Sequence, residues 1–151
     1  MQNIFDAKVA QEYINRINNL TPETQGKWGK MSVDQVLAHL NVAYETIYEP
    51  EKHPKPGFIA GLILKKFVKA KTVNELPYKQ NLPTGPMFLI KGNKDFETEK
   101  KRLIGFIQKT QQLGKEAFDG KMSHSFGKLT AQEWNNMLAK HLNHHLDQFG
   151  V

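Results

Sequence analysis

The sequence has no cysteine among its 151 residues. This excludes disulfides, a thiolate-ligated zinc and a cysteine nucleophile together, so any thiol chemistry has to use a thiol brought in by a cosubstrate. Long apolar runs are missing too. The longest, Phe58 to Leu64, falls far short of the roughly 20 residues that a spanning helix needs, so no transmembrane segment is expected. No stretch alternates apolar and polar residues between hairpin turns, so no sheet is expected. The opening MQNIFDAKVAQEY lacks the apolar core of a secretory signal, and the expected location is cytoplasmic. Charge bias is modest: 21 Lys and Arg against 15 Asp and Glu leave a net +6. Such an excess permits contact with nucleic acid or an acidic membrane surface without specifying either, and neither partner is expected.

What is present is the composition of a globular protein, 39% hydrophobic and 24% charged, in a chain long enough to bury one core. Residues 1–151 are read as a single domain. Four segments carry helical apolar spacing. The first runs from about Asp6 to Asn19, with Val9, Tyr13, Ile17 and Leu20 inward, and stops before Thr21-Pro22. Two others open with capping boxes, Ser32 to Gln35 and Thr130 to Glu133, which predict helices over about 32–48 and 130–149. The remaining one spans about Asp95 to Leu113, with Gly114 as its stop. The expected fold class is therefore all-α, with four long helices. Residues 49–94 hold all but one of the seven prolines and are too long for a short interhelix loop, which points to a crossover between the second and third helices. Within it, Gly57 to Lys71 is expected to form a short amphipathic helix packed on the side of the long ones, in preference to a membrane-surface anchor.

Six histidines occur, and three fall within five residues: His141, His144 and His145. On a helical projection of the last segment His141 and His145 lie one turn apart in the middle of the apolar stripe, with Gln148 turned inward beside them. Lys140, Asn143 and Asp147 fall on the opposite, polar face. A buried imidazole needs partners for two nitrogens, and a divalent metal satisfies one on each of two rings spaced i, i+4. Leu142 follows His141, so the HExxH protease pattern is absent. His39 lies at the border of the apolar stripe of the second helix, where it can reach the last one. Three neutral imidazoles with an open position make a catalytic rather than a structural zinc set. A metal-free alternative has the same histidines bonded to one another, to Gln148 and to water.

The stretch Trp28, Lys30 to Leu40, then Phe126 to Thr130 with Glu133-Trp134, then His141 to Gly150 resembles the DinB-like superfamily, and within it a branch of small proteins of undefined function. The resemblance implies a four-helix bundle of up-down-down-up type, often dimeric. It implies a divalent metal, zinc or nickel, held by His39, His141 and His145. It also implies thiol-dependent S-transfer from a low-molecular-weight thiol cosubstrate to a small electrophilic substrate; the alternative is a non-catalytic metal or small-molecule binding domain. His144, Gln148, His124, Tyr44 and Trp134 are candidates for contact with the ligand histidines or a substrate, whereas His53 is expected to be solvated. No catalytic residue is assigned. A homodimer is the expected assembly.

Overall fold

The computed structural model describes residues 1–151. Helix α1 (Ala7–Asn18) begins at Asp6, whose carboxylate accepts from the amides of Lys8 and Val9. Helix α2 (Val33–Tyr48) begins at Ser32, whose amide donates to Gln35 Oε1 at 3.2 Å. The crossover that follows contains α3 (Phe58–Ile63), a π-helical turn (Leu64–Val68) and α4 (Lys69–Val73) in one continuous run. Short 3-10 turns at Pro50–Lys52 and Pro86–Phe88 complete its regular structure. Helix α5 (Phe96–Leu113) starts at Asp95 and ends at Gly114. Helix α6 (Ala131–Phe149) opens with the reciprocal Thr130–Glu133 box and closes at Gly150, in the left-handed region with φ of 74°. Both capping boxes were legible because each uses residues that supply acceptors to amides left orphaned by the first turn.

The fold is all-α. Helix α2 packs against α5 and α6, and α1 packs against the same two. Their apolar faces meet in one core that includes Tyr13, Ile17, Leu37, Leu40, Leu103 and Leu142. A smaller cluster of Phe118, Leu129 and Trp134 lies beside it. One small hairpin, β1 (Met122–Ser123) paired antiparallel with β2 (Gly127–Lys128), was not anticipated, because strands of two residues carry no alternation to read. No helix is long and apolar enough to cross a membrane.

The largest departures from expectation come from the crossover. It lies against α6, so the helix face read as polar and outward is partly covered. Lys140 is 1% exposed. Its Nζ donates to Lys71 O, Asn74 O and Asn74 Oδ1 at 2.7–2.8 Å and sits over the Tyr78 ring. Burial pushes its pKa down to about 8, while the three oxygens use every donor the ammonium has. On the same face Asn143 and Asp147 accept from Arg16 of α1 at 2.8 and 2.6 Å. Helix α2 is likewise covered nearly all round: every residue from Val36 to Glu45 is buried, so His39 does not lie at a border.

His53 also departs from its expected solvated state. Its Nε2 meets Glu45 Oε2 at 2.7 Å, and Arg102 of α5 donates to the other oxygen of that carboxylate. Burial opposes ionisation of Glu45, but the hydrogen bonds and charges of Arg102 and His53 outweigh it and hold the carboxyl below its usual range. This cluster ties the start of the crossover to α2 and α5.

Because Leu103 is fully buried where the long helices meet, Leu103→Ala should cost about 2–5 kcal/mol in denaturant-induced unfolding. Leu113→Ala, half exposed at the end of the same helix, should cost less than about 0.5 kcal/mol.

Candidate metal centre

His39 comes from the middle of α2, and His141 and His145 come from successive turns of α6. Their metal-capable nitrogens lie within 4.8 Å of one another. His39 and His145 are buried, and His141 is half-buried. His39 Nε2 and His141 Nε2 are 2.8 Å apart. The ring of His145 stands edge-on to both others, with centroids 4.6 Å from His39 and 5.0 Å from His141. The i, i+4 spacing puts two imidazoles on one side of α6, and α2 supplies the third because it packs against that side.

Backbone and amide oxygens fix the orientation of two rings. His39 Nδ1 lies 2.9 Å from Phe88 O, so it carries the proton and donates, leaving Nε2 as a lone-pair nitrogen facing the other rings. His145 Nδ1 lies 2.8 Å from Gln148 Oε1 and donates in the same way, with its Nε2 left for the centre. Gln148 is itself held, its Nε2 donating to Trp28 O at 2.7 Å. With His39 Nε2 a lone-pair atom, the short contact to His141 requires a proton on His141 Nε2. That proton has to move to Nδ1, or leave, before His141 can act as a ligand through Nε2.

All three rings are held neutral. Burial lowers the pKa of His39. Burial, reinforced by the charge each neighbour would carry, drives His141 well below the ordinary value. Burial, then the charge of His39, pushes His145 down to about 3. Neutral imidazoles with outer nitrogens anchored to oxygens are the form that binds transition metals. An ion at about 2.0–2.1 Å from each nitrogen needs the nitrogens roughly 3.3 Å apart. The pair at 2.8 Å has to open by about half an ångström to reach that spacing. The three side chains can hold a metal ion.

The remaining candidates divide. Gln148 belongs to the site through His145. His144 points beside the triad, its ring 5.0 Å from His145 and edge-on to Trp28 and Tyr78. It lines a cavity of about 320 Å³ with Trp28, Tyr78, Lys140 and Asp147. Tyr44 is not a site residue: it is buried in the main core and stacks on Phe106 of α5. Trp134 is not one either, since it packs edge-on against Phe118 in the smaller cluster. Both were drawn in as aromatics on helices that carry ligand histidines; their positions are set by packing. His124 is a loop residue, its Nε2 3.1 Å from His53 O and its Nδ1 3.2 Å from Ser125 Oγ, joining the hairpin to the crossover.

Two contributors were missed. Phe88 supplies the oxygen that orients His39, and its ring lies 5.4 Å from that of His39 and 6.0 Å from that of His141. It stands in a proline-rich segment with no periodicity, so nothing in the sequence placed it. Gly29 has φ of 82°, and a Cβ there would collide with the Gln148 amide. Glycine is thus required twice over, for its backbone and for the space it leaves the amide that orients His145.

A family model described as "Protein of unknown function (DUF1569)" matches residues 4–150. No curated protein and no solved structure matches the chain.

The neutral rings set a pH dependence for the metal-free protein. The folded value for His145, about 3, lies below the free imidazole's 6.5, so the unfolded chain takes up the proton first. Stability should fall as the pH drops through 6.5 and continue to fall toward about 3, the contribution of His145 alone reaching about 2 kcal/mol at about pH 5. Chemical denaturation with chelator at pH 7.5 and 5 measures it, and His145→Gln should flatten the slope.

Proposed function

The chain belongs to the DUF1569 family, and on that premise we propose that it is a metal-dependent protein whose centre is His39, His141 and His145. The observation that carries the reading is the convergence of three neutral imidazoles from two helices, two of them oriented through their outer nitrogens. The metal-free alternative, in which the histidines bond to one another, to Gln148 and to water, accounts for the one close pair of nitrogens and is separated from this reading by metal analysis.

The bound ion is zinc or nickel. It would lower the pKa of a thiol or water at its open positions and so supply a nucleophile near neutral pH. The protein's own part is orientation and exclusion of water. Phe88 O and Gln148 Oε1 hold His39 and His145 with their Nε2 atoms inward, and Gly29 leaves Gln148 room to do so. The Phe88 ring covers His39 and His141. The cavity beside His144 is the place for a substrate. Trp28 and Tyr78 give it aromatic walls.

The activity we propose is S-transfer from a low-molecular-weight thiol to a small electrophile, in a cytoplasmic setting and in a homodimer. The four long helices form an up-down-down-up bundle, and the chain's family sits within the DinB-like superfamily. What supports this is the packing of α2 and α1 against α5 and α6, the long crossover after α2, and the histidine pattern on α2 and α6.

Protein purified without an affinity tag should carry one divalent ion per chain by elemental analysis, and should turn over an electrophilic dye with a small thiol. Stoichiometric metal without turnover by any of several thiols would instead make it a binding domain. Metal at a hundredfold excess over its Kd should stabilise the native protein by about 2.7 kcal/mol. In His145→Ala both uptake and that stabilisation should vanish. Asn143→Ala should lower the melting temperature by removing an acceptor of Arg16, yet leave metal uptake unchanged. Metal binding by His145→Ala equal to that of the parent protein would refute the assignment.

A further inference from the structure

The expectation for Gly57 to Lys71 is a connector helix packed on the side of the long ones, a place where an amphipathic run, here Phe58–Val73, would cover its apolar residues. It does not: no residue of α3, the π-turn or α4 is buried. Helix α4 lies against α6, and the apolar side chains upstream of it point away. Phe58 is 83% exposed, Ile59 74% and Phe67 61%, with Leu62 and Ile63 about half exposed. On an α-helical projection Phe58, Ile59, Leu62 and Ile63 share one side of the run, within about 140°, and Phe67 follows in the π-turn. A contiguous apolar surface of this kind marks an interaction site.

The charge around that face narrows the choice of occupant. Residues 52–80 contain seven lysines and one acidic residue, Glu75, a net of +6, which is the net charge of the whole chain. The rest of the protein is neutral. Of those lysines, Lys52 pairs with Glu49 and Lys69 with Glu133; Lys55, Lys65, Lys66, Lys71 and Lys79 make no ion pair. Two copies meeting face to face through this segment would set +6 against +6, so self-association there is opposed by the charge that borders it. An anionic partner is attracted by the same charge.

We propose that Phe58–Val73 docks the protein on an anionic lipid surface, with Phe58, Ile59, Leu62, Ile63 and Phe67 entering the interface and the unpaired lysines beside them meeting lipid phosphates and carboxylates. The run lies in the plane of the surface as an interfacial helix and does not span the bilayer, for it is far too short. The juxtaposition of apolar side chains with lysines suits a headgroup boundary, where hydrocarbon lies below and anionic groups lie level with the helix. This docking does not depend on the histidine centre, and its readout involves neither metal nor turnover.

The test is co-sedimentation of the full chain with vesicles of phosphatidylcholine alone and of phosphatidylcholine with about one-third phosphatidylserine, each at about 0.1 M and about 0.5 M salt. Binding should be at least tenfold tighter to the anionic vesicles, and should weaken by a similar factor at high salt. Phe58→Asp with Ile59→Asp should reduce it tenfold or more while leaving the melting temperature unchanged, because both side chains are exposed. Lys66→Glu with Lys71→Glu, a second pair of exposed sites, should do the same. Failure to sediment with anionic vesicles, or undiminished binding by both double variants, would overturn the proposal. So would a dimer that Phe58→Asp with Ile59→Asp dissolves in a protein that ignores vesicles, since a second copy would then be the occupant.

Discussion

Three imidazoles facing one another in the interior cannot all be charged, and the surrounding structure is arranged around keeping them neutral and turned inward. Burial does the first part. The second is done by oxygens: the Phe88 carbonyl at one ring and the Gln148 amide at another. One of these acceptors is remote in sequence from the ring it orients; the other lies on α6 itself, three residues from His145, but is steadied from outside the helix. Phe88 stands in the crossover, and Gln148 is held by the carbonyl of Trp28, in the connection between α1 and α2. The orientation of the centre therefore depends on loops, although all three ligand candidates are on helices. A helix fixes where a histidine begins, but only a partner at the far nitrogen fixes which way the ring lies and which nitrogen is free.

The crossover has a larger part in the structure than its irregular sequence suggests. It covers α6 through Lys140 and Asn136, whose side chains reach Lys71, Val73 and Asn74. It also joins α2 and α5 through His53, Glu45 and Arg102. A buried lysine with three neutral oxygens and no carboxylate is costly unless every donor is used, and here every donor is. What the crossover does not do is bury its own apolar residues, and that asymmetry separates its two faces: a polar one that fastens it to the protein and an apolar, lysine-bordered one left outside.

The four long helices, their starts and their stops are legible because they rest on local chemistry: an apolar stripe of helical period, a side-chain oxygen at the first turn, and a glycine at the end of α5 and α6 or a nearby proline after α1 and α2. The histidine trio was legible for the same reason, since a projection of α6 places His141 and His145 together without knowledge of the rest. The failures share one cause. The spacing puts Lys140 on the polar face and His39 at a border because periodicity says which residues share a face, not what lies against it. Tyr44 and Trp134 were drawn toward the site by proximity in sequence, when long-range packing against Phe106 and Phe118 decides where they point. Phe88 and Gly29 act through a carbonyl and through an absent side chain, and neither leaves a pattern in composition or spacing.

The dependence of His39 on Phe88 has a consequence for how the centre and the core are related. Of the oxygens that orient the centre, the one at residue 88 belongs to a short 3-10 turn between prolines and exposed loop, far from its partner in sequence. Local opening of that turn would free the outer nitrogen of His39, and with it the choice of tautomer, while the core between the long helices stayed packed. The chain can thus hold a nearly complete native core and still lack a formed centre. The geometry of the centre and the integrity of the core are therefore separable properties of the same chain.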